Sequence, residues 1–214
     1  MNGAGSFVFP FRGRNRGGRW VAGLVLVALL PLTFVLVCGY AVACIRAAAR
    51  DPAAPPPPWR LSGRLLSDGA WTALQGAVVT VPFAAAAWWA SARLARGWHP
   101  LAGWFVEPAV VSVVAATAIA LPWGVVALTL LPPTLARFAV TGRPADLAGV
   151  ATALACIRDG FAAWNLAVVV ITTAWLLAAV SLTLCLVGVV PGAFYAILVS
   201  AHACAALAPD PPAR

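Results

Sequence analysis

Three polar side chains stand within long apolar segments of this chain, where such groups usually have a specific role. They are His202, Asn165 and Gln75. His202 could serve as a ligand or a proton carrier, but no second histidine or carboxylate stands at helical spacing from it. An interhelical hydrogen bond or an interfacial position is the simpler role. Asn165 and Gln75 lie about two turns into predicted helices, which favours hydrogen bonds between helices over substrate binding.

Two carboxylates complete the set of candidate functional residues. Asp68 and Asp159 each precede a glycine and open an apolar stretch. A carboxylate at a helix start accepts hydrogen bonds from free backbone N–H groups and complements the positive end of the helix dipole. The sequence therefore predicts that both residues cap helices, with a functional role as the alternative.

Motifs of the common enzyme classes are missing from the sequence. There is no phosphate-binding glycine-rich loop, no zinc-protease motif and no nucleophile elbow. No acid stands where it could complete a serine–histidine pair. The five cysteines are far apart, and none has metal-ligand spacing. We therefore expect a protein that is not an enzyme and that holds no cofactor or metal.

The elements that position these residues are set by the composition. The 214-residue chain is 63% hydrophobic and 9% charged, whereas soluble domains have about 45–50% apolar and about 25% charged residues. A water-soluble fold would lack the polar surface to cover such a chain. The predicted fold class is all-α: a multi-pass transmembrane helical bundle with about four or five membrane helices.

The predicted organisation is a single transmembrane domain over residues 20–208. A basic, aromatic segment (1–19) precedes it, and a short polar tail (209–214) follows. The polar connections 46–67 and 134–160 are each expected to contain an amphipathic surface helix. The predicted apolar segments are about 20–45, 69–94, 101–131, 161–187 and 190–207.

The first apolar segment allows two alternatives, because Pro31 removes a helix hydrogen bond near its middle. It either spans the membrane once or forms a hairpin whose halves are each too short to span. The hairpin with a cytoplasmic N-terminus leaves only Arg93 and Arg96 outside and the other twelve of fourteen arginines inside. Since arginine-rich loops stay in the cytoplasm, the charge distribution favours the hairpin in a cytoplasmic membrane.

The net charge of +8 comes from arginine alone, because the chain contains no lysine. These arginines lie in short loops, and no aromatic-and-basic nucleic-acid-binding module is present, so we expect no nucleic-acid partner. The lipid bilayer and anionic lipid headgroups are the expected partners. A homo-oligomer or a membrane or cytosolic protein partner is also compatible. The predicted membrane-surface anchors are Arg12, Arg14, Arg16, Arg19, Trp20 and Trp59.

Several short motifs follow one another along the chain. They are Phe9-Pro10-Phe11-Arg12, Trp20, Pro31, Gly39-Tyr40, Arg46, Trp59, Asp68-Gly69, Ala136-Arg137-Phe138-Ala139, Gly192-Ala193-Phe194-Tyr195 and Ala201-His202. In this order the chain resembles the bacterial and archaeal multi-pass membrane family known as domain of unknown function 4013. The resemblance implies a cytoplasmic-membrane protein of several helices. It carries over no catalytic residue, cofactor or known activity.

Two functional hypotheses follow from these observations. The first is a non-enzymatic membrane scaffold that interacts with a partner or with lipid. The alternative is a small transporter or permease-like subunit for an apolar or lipid-like substrate, since prolines in membrane helices are typical of transporters. The shortage of buried charge argues against ion-coupled transport.

Overall fold

The computed structural model describes residues 3–13, 16–97, 108–181 and 188–209, and within these ranges it is all-helical, without strands. Predictions on Arg14 and on 101–107, 182–187 and 210–214 lie outside these ranges. Two short 3₁₀ helices cover Phe9–Phe11 and Pro144–Ala148. The α-helices are α1 (Gly3–Val8), α2 (Arg16–Ala28), α3 (Leu30–Arg50), α4 (Gly63–Gly97), α5 (Pro108–Thr141), α6 (Val150–Asp159), α7 (Phe161–Val180) and α8 (Val189–Ala205).

Four of these helices are long and apolar enough to cross a membrane, which fits a membrane protein and confirms the all-α prediction. The candidate spans are Leu32–Arg50 in α3, Gly63–Ala92 in α4, Ala116–Thr141 in α5 and Phe161–Val180, which is α7. Helix α8 has 17 residues. At about 1.5 Å per residue it is shorter than the apolar core of a bilayer, about 30 Å.

The first apolar segment is broken into α2 and α3 at Leu29, two residues before Pro31. Trp20 on α2 and Tyr40 on α3 both lie against the Phe194 ring, at centroid distances of 5.3 and 6.5 Å. A continuous helix would separate them by about 30 Å. Helix α2 therefore folds back along α3, as the hairpin alternative predicts. The structure differs from that alternative in one half, because Leu32–Arg50 of α3 is long and apolar enough to cross a membrane.

Helix α4 begins earlier than predicted, at Gly63 rather than at residue 69. The Ser62 hydroxyl accepts a hydrogen bond from the Leu65 N–H at 3.2 Å, as an N-cap side chain does. The surface helix predicted around Leu65 is therefore the first turn of α4. Asp68 lies inside the helix, so its predicted role as a cap is wrong.

Helix α5 runs through Pro132 and Pro133 to Thr141, beyond the predicted end at about residue 131. Pro132 has no N–H to donate to the Leu128 carbonyl one turn earlier. The Trp164 indole on α7 donates to that carbonyl at 3.3 Å. A neighbouring helix thus replaces the donor that proline removes, which allows proline inside an apolar helix.

The second polar connection contains the predicted amphipathic helix, α6. Its Ala153 is buried, whereas Leu154 is about half-exposed, so one face packs on the bundle and the other is open. Asp159 is the last residue of α6, and α7 starts after Gly160 without a side-chain cap. The prediction that Asp159 caps the next helix is therefore wrong.

The bundle divides into a packed body and an exposed arm. The body is built from α1–α3, α7, α8, the start of α4 and the end of α5. It includes the N-terminal Phe9, which is fully buried. We define the outer arm as residues 76–92 of α4 and 116–126 of α5, where no described side chain is buried. In the most apolar stretch of α3, 44% of the residues are buried, whereas in that of α4 only 6% are buried.

Candidate functional site

One end of the bundle, which we call the basic end, brings the N-terminal segment, both polar connections and the end of α8 together. Arg12 and the His202 Nε2 both lie within hydrogen-bonding distance of the Pro52 carbonyl, in the first connection. Arg46 donates to the Ala139 carbonyl, in the last turns of α5. The described arginine side chains at this end are Arg12, Arg16, Arg19, Arg46, Arg50, Arg60, Arg64, Arg137, Arg143 and Arg158.

Asp68 forms the most buried ion pair of the basic end. Its carboxylate lies 2.9 Å from the Arg46 guanidinium, and the two side chains are only 10% and 13% exposed. The Arg46 Nε donates to the Ala139 carbonyl at 2.7 Å, and the more exposed Arg64 lies 3.9 Å from the carboxylate. The pair therefore ties α3 to α4 and α5, and this carboxylate is already engaged by arginine.

Glycines allow the close approach of α3 and α4 beside that pair. A Cβ on Gly69 would lie 1.9 Å from the Val35 carbonyl oxygen, and one on Gly39 would lie 2.1 Å from the Leu65 carbonyl oxygen. Both contacts are with backbone, which cannot rotate away. The two positions therefore accept only glycine at this helix separation.

His202 attaches the N-terminal segment to α8 and to the first connection. Its Nδ1 lies 2.9 Å from the hydroxyl of fully buried Ser6, and its ring lies 4.7 Å from that of Phe9. If Nε2–H donates to the Pro52 carbonyl, Nδ1 is free to accept from Ser6. Burial lowers the pKa of His202, and this outweighs the opposing effect of the hydrogen bond to Pro52, while the charge of Arg12 lowers the pKa further. The lowered pKa favours this neutral form.

The Ser6–His202 pairing resembles that of a serine nucleophile and its base, and sequence reasoning missed Ser6. Ser6 is buried from solvent, and the other imidazole nitrogen faces a backbone carbonyl instead of a carboxylate. A substrate carbonyl could not reach the hydroxyl in this conformation. The arrangement is suited to holding the N-terminal segment in place.

Gln75 is buried at the root of the outer arm. Its Nε2 donates to the Thr134 hydroxyl at 2.7 Å and to the Leu147 carbonyl at 2.9 Å. The Thr134 hydroxyl donates in turn to the Leu130 carbonyl at 2.6 Å, so its lone pair faces the amide. The predicted interhelical hydrogen bond is confirmed for Gln75. Its Oε1 has no partner within the described residues.

Two candidate residues do not join these clusters. Asn165 is exposed on α7, and Asp159 pairs with its exposed neighbour Arg158 at 2.9 Å. Among the described residues, no group of three histidine, cysteine or acidic side chains could hold a metal ion. Of the five candidate residues, those that join polar clusters are therefore Asp68, Gln75 and His202.

The residues predicted as membrane-surface anchors make contacts inside the protein. Arg19 donates to the carbonyls of Pro56 and Arg12. The Trp59 indole donates to the Arg19 carbonyl at 3.2 Å, and the Trp20 indole donates to a carbonyl of the N-terminal segment at 3.1 Å. Arg16 is exposed. Most of these side chains thus join the N-terminus, α2 and the proline-rich connection.

An aromatic stack forms the centre of these contacts. Tyr40 and Trp59 stack at a centroid distance of 3.7 Å, and both face Phe194 of α8 at 6.5 Å. The Tyr40 hydroxyl donates to the Pro57 carbonyl at 2.9 Å. A Cβ on Gly23 would lie 2.1 Å from the Phe194 ring, so α2 packs directly against this stack.

A protein-family model matches residues 22–199, from α2 to the second half of α8. The family is described as protein of unknown function, DUF4013. The chain belongs to this family. No curated protein and no solved structure matches this chain. Tyr40, Trp59 and Phe194, which carry part of the resemblance in sequence, stack together in this DUF4013 protein.

Proposed function

We propose that this DUF4013 protein is a multi-pass protein of the cytoplasmic membrane and acts as a non-enzymatic scaffold. Its basic end would face the cytoplasm and meet anionic lipid headgroups or a partner protein. The observation that carries the proposal is the gathering of ten arginines at one end. Arg93 and Arg96 follow near the far end of α4, about 45 Å from Gly63 along the helix. Such asymmetry is typical of the cytoplasmic side.

The outer arm supports a membrane location. Apolar side chains that would be costly to expose to water suit the hydrocarbon of a bilayer. Those at least 38% exposed include Val78, Val81, Trp88, Trp89, Leu121, Trp123 and Val125. On this proposal, they contact lipid chains or a membrane partner.

The bonding of the candidate polar residues supports a role without catalysis. Asp68 is engaged by Arg46, the Gln75 amide nitrogen by Thr134 and Leu147, and His202 by Ser6. A general acid or base must reach the proton that it transfers. These groups instead hold helices and connections together, as expected of a scaffold.

The experiment is cysteine labelling of intact cells with a membrane-impermeant maleimide. Single cysteines are placed at Ala53, Ala145 and Gly97, with each native cysteine replaced by alanine. Ala53 and Ala145 lie in the two connections and are exposed. We expect Gly97 to be labelled in intact cells, and the other two only after permeabilisation. Labelling of Ala53 from outside would overturn the proposed orientation.

The alternative is a transporter of apolar or lipid-like molecules, which the prolines inside α4 and α5 favour. Proteoliposomes with a dithionite-sensitive fluorescent phospholipid separate the two functions. A scaffold leaves the inner-leaflet probe protected from dithionite. Loss of that protection, in vesicles that remain sealed, would support transport.

A further inference from the structure

An apolar groove of about 460 Å³ opens beside the α2–α3 hairpin. Its walls come from Ala22 and Val25 of α2, Leu36 of α3, Leu61 just before α4, and Leu65 in the first turn of α4. Val25 is 53% exposed and Leu61 82% exposed, so the groove is open on one side. Its volume lies within the range of about 300–1,000 Å³ usual for small-molecule sites.

Trp59 and Arg60 also line the groove. Trp59 is fixed by its stack on Tyr40 and by its hydrogen bond to the Arg19 carbonyl. Arg60 is exposed, and its guanidinium makes no hydrogen bond or ion pair within the described ranges. A fixed aromatic ring and an available cation therefore stand side by side in the lining of the groove.

The groove has a polar end and an apolar end. Arg60 lies in the first connection at the basic end, whereas Val25 and Leu26 lie just before the break at Leu29. A molecule that follows the groove from Arg60 along α2 would pass from a cation into aliphatic surroundings. This is the order of chemistry in an anionic amphiphile with one extended chain.

We propose that the groove binds one anionic glycerophospholipid, with its phosphate at Arg60 and an acyl chain along Ala22, Val25 and Leu36. Guanidinium groups bind phosphate oxygens in a two-pronged geometry. The inference deepens the proposed lipid-facing role and rests on it. Charge complementarity favours an anionic lipid over a neutral one, because Arg60 has no partner among the described residues and the chain carries a net charge of +8.

The test uses the full-length protein in detergent micelles with equal amounts of phosphatidylglycerol and phosphatidylcholine of identical acyl chains. Native mass spectrometry counts the lipids that stay bound. Arg60→Gln is compared with Arg50→Gln, since Arg50 is also exposed but does not line the groove. Ala22→Phe fills the groove, and Val21→Phe is its control, because Val21 is 63% exposed and lies outside the lining.

We expect the wild-type protein to retain one phosphatidylglycerol in preference to phosphatidylcholine. One arginine near a headgroup contributes about fivefold in affinity, so Arg60→Gln should reduce the preference by about that factor. Arg50→Gln and Val21→Phe should leave it unchanged, and Ala22→Phe should reduce retention of both lipids. Arg60→Gln changes only an exposed side chain, so this comparison decides the question even if Ala22→Phe does not fold.

Equal retention of the two lipids by the wild-type protein would overturn the proposal, and so would equal effects of Arg60→Gln and Arg50→Gln. A lipid-free dimer that Ala22→Phe dissociates would assign the groove to a second copy of the chain instead. A micelle has no cytoplasmic and external side, so lipid retention does not depend on the membrane orientation that cysteine labelling measures. Either experiment can therefore fail while the other succeeds.

Discussion

Helix α4 belongs to two regions with different physical character. Its first 13 residues contain buried Leu65, Asp68, Gly69 and Gln75, which contact α3, α5 and the second connection. From Gly76 to Ala92 no residue of the same helix is buried. One continuous helix thus begins in the packed body and ends in the outer arm.

The difference shows that apolar composition alone does not decide packing. The body is held by specific polar and close backbone contacts, such as the Arg46–Asp68 pair and the Gly39–Gly69 crossing. In the arm, the Trp123 indole of α5 donates to the Thr80 hydroxyl of α4 at 3.2 Å, but no described residue of either segment is buried. Substitutions in the body should therefore cost much more stability than comparable ones in the arm.

The largest expected effect comes from Asp68→Ala. It leaves the Arg46 guanidinium buried without its carboxylate, and breaking such a pair costs about 3–5 kcal/mol. The free energy of unfolding can be measured by denaturant titration in mixed micelles with far-ultraviolet circular dichroism. Asp159→Ala is the control, since that carboxylate is exposed, and it should cause no measurable loss. Equal losses would remove the distinction between the buried and exposed pairs.

Gly69→Ala should have the next largest effect. The new methyl group would push α3 and α4 apart, and overpacking of this kind costs about 1–3 kcal/mol. Gly76→Ala is a matched control two turns further along α4, where a Cβ meets nothing within 4 Å. This control should gain about 0.5–1 kcal/mol from the better helix propensity of alanine. The same titration measures both variants, and a stabilised Gly69→Ala protein would contradict the close crossing.

Acidification should weaken the attachment of the N-terminal segment. Burial lowers the pKa of His202 below its usual value of about 6.5. At a pH between the folded and the unfolded pKa of His202, the unfolded chain binds a proton that the folded protein does not. The contribution of His202 to the free energy of unfolding is therefore complete above a pH of about 6.5 and declines as the pH falls below it.

His202→Gln tests this dependence by removing the titrating group near Arg12 and Ser6. Near neutral pH it should cost about 1–2 kcal/mol through lost hydrogen bonds. The difference from the wild-type protein should shrink in acid, as followed by denaturant titrations across the pH range. A difference that grows in acid would mean that the folded protein binds the proton more strongly, opposite to our expectation.

The smallest effect should come from the arm. Thr80→Val removes the acceptor of the Trp123 indole, and such bonds between membrane helices contribute about 0.6 kcal/mol on average. Thr134→Val is the counterpart in the body, where it deprives the buried Gln75 amide of an acceptor at a cost of about 1–3 kcal/mol. Unfolding titrations of the two variants compare the regions directly. Similar losses would show that the arm is as tightly packed as the body.

Patterns of composition and charge predicted the helical class, the hairpin and most apolar segments. They did so because apolar runs and proline positions are properties of the local sequence. The end of α5 was missed for a nonlocal reason. The Leu128 carbonyl freed by Pro132 is satisfied by Trp164, 36 residues away along the chain. Propensity alone cannot predict this continuation.

The candidate residues show the same limit. Gln75 was expected to make an interhelical hydrogen bond, and it does. Asp68 was expected to cap a helix, because nothing in the local sequence places Arg46 beside it. Ser6 carried no signal, since its partner His202 lies 196 positions later. Pairings across the whole chain required the structure.

The contacts of the N-terminal segment set an order for folding during synthesis. Ser6 packs against His202, which is translated 196 residues later, and Phe9 contacts the same imidazole ring. Phe194, against which α2 packs, is also made late. Ser6 and Phe9 therefore cannot reach their native partner until α8 has been translated. Until then, the contacts that hold the N-terminal segment against the bundle are missing.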